Sequence, residues 1–380
     1  MKNVIIVHYS EIALKGKNKK FFQGVLKNNI LSAVKGIEID AFKIIEGRFL
    51  IYCRMENKDL LCEKISKVFG IYSFCFAKEI SNDLEEIKYF CLQEFKKKEF
   101  SSFKILTKRA YKKYPYNSMQ TSELVGGHIF DNIKTKVDLK NPDVICTLEI
   151  VKEHAYVYFE KTKGLGGLPV GSAGKVISLL SSGIDSPVAS YKMLKRGCHV
   201  VFVHFHNYPY SKKESINNVK KLVKVLEQYQ FFSRLYLVSL TDIQKQIVAL
   251  CSPKLRIVLY RRMMLRIAEK IAKKEGALGL VTGDSLGQVA SQTLENIFSI
   301  SQAVSYPIYR PLISDDKQEI MDLAKKINTY EISIQPYEDC CQLFAPKNPE
   351  TRSKLKDVLV EEEKLDCEKL IEKIDFEIFK

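Results

Sequence analysis

The stretch Leu179-Leu180-Ser181-Ser182-Gly183-Ile184-Asp185-Ser186 has the residue types of an anion-binding turn. An apolar run ends at Leu180, small residues reverse the chain, and Ser186-Pro187 can open a helix, because proline is tolerated in a first helical turn. Such a turn aims main-chain N–H groups and the positive end of a helix at one spot, with no bulky Cβ in the way. The Ser181 and Ser186 hydroxyls can add donors. A carboxylate at Asp185 would repel a bare phosphate, so its presence implies Mg²⁺ between it and the phosphates. An ordinary strand-to-helix turn with a Ser or Asp cap fits the same string. Neither GxxxxGK[ST] nor GxGxxG is present in it.

Two further groupings could do chemistry. Of the 10 cysteines, only Cys340 and Cys341 are adjacent, in Tyr337-Glu338-Asp339-Cys340-Cys341. The two acids disfavour a thiolate, so a reactive thiol here needs a cation close in space. Two buried structural thiols are the plainer reading. A metal half-site is disfavoured, since no second Cys/His pair has suitable spacing. Separately, residues 101–122 contain Lys104, Lys108, Arg109, Lys112 and Lys113, no acid, and interleaved Tyr111, Tyr114 and Tyr116. Cations for phosphates and rings for unpaired bases are what a binder of single-stranded RNA or a tRNA end needs. A solvated charged loop has the same composition. Lys15, Lys17, Lys19 and Lys20 can extend that surface.

The elements that must position these groups fall into two styles. Residues 1–160 mix short strands of differing spacing (Val4–Val7, Phe49–Cys53, Phe103–Thr107, Val144–Ile150, Ala155–Phe159) with helical stretches at Phe21–Val34, Leu60–Phe69 and Leu84–Lys97, which predicts small α+β units. Five Gly and one Pro in the thirteen residues Lys163–Lys175 mark a linker. Beyond it, apolar strands at Val176–Leu180, Cys198–Phe205, Leu235–Ser239 and Leu278–Thr282 alternate with helices at Ser186–Arg196, Glu214–Gln228 and Arg256–Lys274. That is the pattern of an α/β doubly wound parallel sheet. Leu179–Leu180 and His204–Phe205 then end neighbouring strands, where an open α/β sheet binds its ligand. In the long helix, Ile257, Tyr260, Met264, Ile267 and Ile271 form an apolar core stripe, leaving Arg262 and Arg266 to face RNA or solvent. The tail Glu361–Lys380 reads as a solvated amphipathic helix.

Composition narrows the class. With 380 residues, 46% hydrophobic and 28% charged, the chain is globular and long enough for two or three domains. A net charge of +15 favours a polyanionic partner, nucleic acid before membrane. Residues 1–164 hold 29 basic and 20 acidic side chains (+9), the rest 31 and 25 (+6). No apolar run approaches a membrane span. The start, MKNVIIVHYSE, is too briefly apolar for a secretory signal. Scattered cysteines without CxxC fit the reducing cytoplasm.

The loop SSGIDS resembles the SGGxDS loop of the PP-loop ATP pyrophosphatases, with Ser182 in place of a second glycine. A left-handed backbone there would cost Ser roughly 1–2 kcal/mol. HFHNYPY (204–210), RRMMLRIAEKIA (261–272), TGDSLGQVASQTLEN (282–296), RPLISDDKQEI (310–320) and SIQPYEDCCQLFAPKNP (333–349) are similar to the tRNA 4-thiouridine synthase (ThiI) family, as is GLGGLPVG before the loop. The region around Lys108-Arg109 and Tyr114-Pro115 is similar to that family's THUMP RNA-binding domain. The resemblance covers essentially the whole chain. It implies a ferredoxin-like domain at 1–55, a THUMP domain at 56–162, a Gly-rich linker at 163–175 and a pyrophosphatase domain at 176–380.

It also implies the reaction. ATP adenylates O4 of the uridine at position eight of tRNA, and a persulfide sulfur displaces AMP. ATP contacts map onto Leu179, Leu180, His204, Phe205, Arg261, Gly283 and Gln292, and the catalytic cysteine onto Cys340, with Cys341 as relay or resolving thiol. From the residues alone, His204 could be a satisfied buried histidine, Gly283 a plain turn glycine and Arg261 a solvated cation. Longer family members carry a rhodanese-like domain with the persulfide-bearing cysteine, for which 380 residues leave no room. Sulfur is therefore expected from a cysteine desulfurase, directly or through a separate carrier. The family also supplies sulfur for thiamine thiazole, which adds the thiazole sulfur-carrier protein as a partner, and a homodimer is compatible with the resemblance. The competing readings are another PP-loop adenylating ligase or amidotransferase, which would not need Cys340, and an RNA-binding protein with a degenerate nucleotide loop.

Overall fold

The computed structural model describes all residues except 10, 46, 211–212, 337–339, 341–343, 345 and 380. Contacts divide the chain into two compact units, one formed by Met1–Lys20 with Ile30–Gly167, the other by Phe21–Asn29 with Leu168–Lys380.

The first unit is built on strands β1 (Lys2–Tyr9), β2 (Ala41–Ile45), β3 (Arg48–Tyr52), β4 (Ile71–Ser81), β5 (Ser102–Arg109), β6 (Lys136–Val137), β7 (Val144–Ile150), β8 (His154–Tyr158) and β9 (Thr162–Lys163). Its helices are α2 (Lys58–Ser66), α3 (Leu84–Phe95) and α4 (Ser118–Ile133); the earlier helix α1 (Lys19–Ala33) has its central residues Phe21–Asn29 in the second unit. One sheet takes the order β2-β3-β1-β4-β8-β7-β5-β6, with β9 on β4. The two expected N-terminal domains thus share a continuous sheet: β4 pairs antiparallel with β1 and with β8. Along β5, Phe103, Ile105 and Thr107 are buried while Lys104, Leu106 and Lys108 alternate outward, as the pleat requires. The buried side meets Ile87, Cys91 and Phe95 of α3 and Val125 and Ile129 of α4. Asp83 caps α3 by accepting from the Glu85 and Glu86 N–H groups, and Asn117 with Gln120 forms a capping box on α4. At the end of the unit, Gly164 N–H donates to the Tyr72 carbonyl. A Cβ at Gly164 would lie 2.3 Å from the Ile71 carbonyl oxygen, so only glycine fits there.

The second unit carries β10 (Lys175–Leu179), β11 (His199–His206), β12 (Leu235–Ser239), β13 (Leu280–Val281), β14 (Ile308–Tyr309) and β15 (Glu377–Phe379). Its helices are α5 (Asp185–Lys195), α6 (Glu214–Glu227), α7 (Thr241–Leu250), α8 (Arg256–Glu275), α9 (Leu294–Ser301), α10 (Lys317–Lys326), α11 (Tyr330–Ser333), α12 (Leu355–Glu362) and α13 (Cys367–Glu372). The sheet order is β14-β13-β10-β11-β12-β15, parallel except for β15. This is the expected doubly wound arrangement. Tyr260, Met264, Ile267 and Ile271 of α8 are buried in its core, as the apolar stripe predicts.

Two expectations about the second unit are corrected. The tail is not one solvated helix: it folds as α12, α13 and β15, and β15 pairs antiparallel with β12 while Phe376 packs on Tyr236. Arg262 and Arg266 face neither RNA nor solvent in the expected way. Arg262 is 1% exposed and forks onto Glu362 at 3.0 and 2.7 Å, and Arg266 reaches the same carboxylate at 2.7 Å. A charge can be buried on an otherwise apolar helix face when a distant segment supplies its partner.

Candidate active site

The turn after β10 meets the end of β11 as the apolar patterning predicts. Leu179 pairs in register with Val203, and Leu180 N–H donates to the Val203 carbonyl at 2.8 Å. The His204 ring nitrogen Nδ1 lies 2.9 Å from the Leu180 carbonyl, tying the two strand ends together. The loop is closed from within. Ser181 N–H donates to Ser186 Oγ at 2.8 Å, the Ser181 and Ser186 hydroxyls lie 3.0 Å apart, and Gly183 N–H donates to Ser181 Oγ at 3.3 Å. These two hydroxyls therefore shape the turn rather than standing open as donors. Neither Ser182 nor Gly183 has a positive φ, so serine at 182 carries no left-handed strain. The Ser182 hydroxyl is buried and has no partner among the described residues.

Helix α5 opens at Asp185, one residue before the expected start, and points its N-terminus at this turn. The Asp185 carboxylate accepts from Lys317 Nζ at 2.6 Å and Gln288 Nε2 at 2.9 Å. Gly283, just beyond β13, approaches α5 rather than simply clearing space for a ligand. A Cβ there would stand 2.8 Å from Ser186 N and 2.9 Å from Ser186 Cα.

Behind Gly283 is a charge hub that sequence reasoning did not identify. Asp284 is buried, and its carboxylate takes Arg261, Arg310 at 3.2 Å and the Thr282 hydroxyl at 2.7 Å. Burial would raise this carboxyl, but the Arg261 charge and the Thr282 hydrogen bond overcome that and hold it below the ordinary aspartate range. Both Asp284 and Arg310 lie in the GDSLGQ and RPLISD strings, where a buried acid beside a strand end was the available signal. Gln292 Nε2 approaches Asp284 at 3.5 Å, and its Oε1 has no partner among the described residues.

Apart from Lys317, the side chains named in this turn and hub line one cavity of about 470 Å³, within the size range of small-ligand sites. Leu179, Leu180, Ser181, Ser182, Gly183, Asp185 and Ser186 form one wall; His204, Phe205, Arg261, Gly283 and Gln292 line it as well. Ile257, Met264, Leu265 and Ile300 add an apolar side suited to an aromatic base. Cys340 lines the same cavity. Cys341 and the acids Glu338 and Asp339 lie outside the described residues. No group of three or more potential metal-ligating side chains occurs among the described residues. The Asp185 carboxylate, at the cavity wall and held by Lys317 and Gln288, is of the kind that suits Mg²⁺, which keeps its waters and binds through one or two carboxylates plus phosphate oxygens. No helix among the described residues is long and apolar enough to cross a membrane.

The basic segment in the first unit divides by role. The Arg109 guanidinium is turned onto the carbonyls of Lys112, Tyr114 and Tyr116 at 3.2–3.3 Å, so it folds the loop. Lys104 Nζ donates to the Leu139 carbonyl at 2.8 Å, and Lys108 lies 3.9 Å from Glu149. Lys112 and Lys113 are exposed. Tyr114 is buried, which leaves Tyr116 as the more open ring.

The family described as "Thiamine biosynthesis protein (ThiI)" matches residues 171–367, the "ThiI ferredoxin-like domain" residues 4–75 and the "THUMP domain" residues 81–160. A "Probable tRNA sulfurtransferase" of Caldanaerobacter subterraneus subsp. tengcongensis is 46% identical over 379 residues, covering 100% of this chain and 99% of the relative. One of the same description from Clostridium kluyveri is 42% identical, covering 98% and 97%. Among solved structures, a 4-thiouridine synthetase in complex with RNA and bound ATP superposes with a TM-score of 0.90 at 39% identity, covering 100% of both chains.

Proposed function

The chain belongs to the ThiI family of tRNA sulfurtransferases, and on that premise we propose that its strand-end cavity activates a tRNA uridine with ATP and replaces the activated oxygen with sulfur from Cys340. The observation that supports this is the shared cavity: Cys340 and the Ser181–Ser186 turn line the same space. The similar synthetase solved with RNA and bound ATP supports both ligands.

The turn and the α5 N-terminus receive the triphosphate, with Lys317 as a further cation beside Asp185. Asp185 is the residue that would hold Mg²⁺, which supplies charge neutralisation for the phosphates. Arg261, fixed by Asp284, borders the same space. The uridine O4 attacks the α-phosphorus and pyrophosphate leaves. The terminal sulfur of a persulfide on Cys340 then attacks C4, and AMP departs with O4 and the electron pair of the broken C4–O bond. A second thiol cleaves the remaining S–S bond, leaving sulfur on C4 and Cys340 in a disulfide that a thiol reductant reopens. Cys341 is our candidate for that second thiol. A cysteine desulfurase is the proposed source of the persulfide, the uridine at position eight the proposed target and the cytoplasm the proposed compartment. The family's description as a thiamine biosynthesis protein extends the sulfur relay to thiazole, through a sulfur-carrier protein. Lys112 and Lys113, with Lys104 and Lys108 along the loop shaped by Arg109, are proposed to meet tRNA phosphates.

The test is mass spectrometry of tRNA nucleosides after incubation with ATP, Mg²⁺, a desulfurase and cysteine. The wild type should form 4-thiouridine. Cys340→Ser should still release pyrophosphate but form none, and Asp185→Ala should do neither. Full thiolation by Cys340→Ser would refute the role of that thiol, and an adenylating C–N ligase would pass through that substitution unaffected.

A further inference from the structure

Two buried side-chain amides converge on the main chain of the cysteine that borders the nucleotide cavity. Asn207 follows the last residue of β11 and Gln244 lies on α7; both are 0% exposed. Asn207 Nδ2 donates to the Cys340 carbonyl at 2.7 Å and Gln244 Nε2 donates to the same oxygen at 2.9 Å. A carbonyl oxygen has two lone pairs, and amides from two different elements occupy this one. Cys340 sits in a turn, not in a helix or strand, so no regular ladder sets its position.

The main chains that carry the two amides are themselves held. The Asn207 carbonyl accepts from Tyr210 N–H at 2.7 Å, and Gln244 N–H donates to the Leu240 carbonyl at 3.0 Å. Their side-chain oxygens, Asn207 Oδ1 and Gln244 Oε1, are buried with no partner among the described residues. Orphaned buried acceptors are uncommon, and apolar side chains of the same shape would remove their cost. The retention of two such amides is explained if their N–H ends are needed, and both N–H ends are spent on Cys340.

We propose that Asn207 and Gln244 are positioning residues that hold Cys340 at the cavity wall, so that its thiol meets the activated base in register. The inference rests on the reading of Cys340 as sulfur carrier. It predicts a split between the two halves of the reaction, because neither amide lines the nucleotide cavity and Cys340 does. Misplacing a reacting group by about 1 Å can cost about 100-fold in rate.

The experiment compares the full chain with Asn207→Leu, Gln244→Met and the double variant. Two rates are followed: tRNA-dependent pyrophosphate release, and single-turnover formation of 4-thiouridine from a persulfide-loaded enzyme. Each single variant should slow thiouridine formation about 5-fold and the double variant about 50-fold, with pyrophosphate release within about 2-fold of wild type. Thermal midpoints should move little, since each substitution trades a lost bond to the Cys340 carbonyl for the removal of an orphaned acceptor. Gln244→Asn, which keeps an amide, should recover part of the rate lost in Gln244→Met. Equal losses in both steps, or a double variant that thiolates at the wild-type rate, would overturn the proposal. If the double variant does not fold, the ratio of the two rates in each single variant decides, and an unchanged ratio overturns it. Cys340→Ser in the same assay separates the two levels. Should that variant thiolate normally, it is the carrier assignment that fails.

Discussion

Replacing Gly283 with alanine perturbs the site through one defined contact. The added methyl would stand 2.8 Å from Ser186 N, 2.9 Å from Ser186 Cα and 3.1 Å from the Asp185 carbonyl carbon. Ordinary contact for such pairs is about 3.5–4.0 Å, so relieving the tightest of them requires an opening of about 0.7–1.2 Å. None of the three atoms belongs to a side chain that can swing aside. What moves is the first turn of α5, which carries Asp185 and whose Ser186 closes the loop onto Ser181. Overpacking of this kind costs about 1–3 kcal/mol, or about 2–12 °C in the thermal midpoint of a unit of this size. The larger effect is on chemistry, because a shift of about 1 Å in a positioning element can cost about 100-fold. Gly283 is not in a left-handed conformation, so the loss is steric and not due to backbone strain. TRNA-dependent pyrophosphate release by Gly283→Ala, measured beside its melting curve, should show a fall in kcat/KM of about 10- to 100-fold in a folded protein. Wild-type release with an unchanged midpoint would refute the argument that this glycine sets the geometry of the turn.

Three further outcomes are expected. Lys112→Ala should weaken tRNA binding and lower the slope of log affinity against log salt by about 1, leaving ATP binding unchanged; an unaltered slope removes the segment from the interface. Glu362→Ala strands the buried Arg262 guanidinium and should cost about 3–5 kcal/mol, read as a drop of about 6–20 °C in the midpoint of the second unit. Glu275 contributes to acid stability: burial would raise its carboxyl, but hydrogen bonds from Tyr236, Arg234 and Lys175 hold it at about 2, against 4.5 for the free group. Its contribution is complete above pH 4.5 and fades as pH falls toward 2, so Glu275→Gln should flatten the decline of urea midpoints across that window. Glu149, also held at about 2, keeps a residual slope in the first unit.

What could be read in the residues was local and periodic. The apolar run before Ser181, the small residues after it and the alternating apolar helices of the second unit predicted the doubly wound sheet and put Leu179, His204 and their neighbours on one wall. Pairings across long chain distances were not legible. Arg262 and Arg266 read as outward cations because the residue that buries them, Glu362, lies about a hundred positions later in a tail whose acidity suggested solvent. The Asp284–Arg261–Arg310 hub escaped because its members sit on three separate elements that only the folded sheet brings together. The eleven-residue β4 was missed because it is buried on much of both sides and lacks clean alternation. Gly283 was placed among the ATP contacts by the resemblance, but the surface it approaches, the backbone of α5, exists only once the sheet has formed.

The three-residue strand β15 has a consequence for handling the protein. It caps the flank of the second sheet by covering β12, whose Leu235, Tyr236, Leu237 and Val238 are buried. Removing residues 376–380 would bare an apolar strand with free amide and carbonyl groups, a template on which a second molecule could add its own strand. Shortened versions of the chain should therefore precipitate or self-associate with concentration, through a surface unrelated to catalysis.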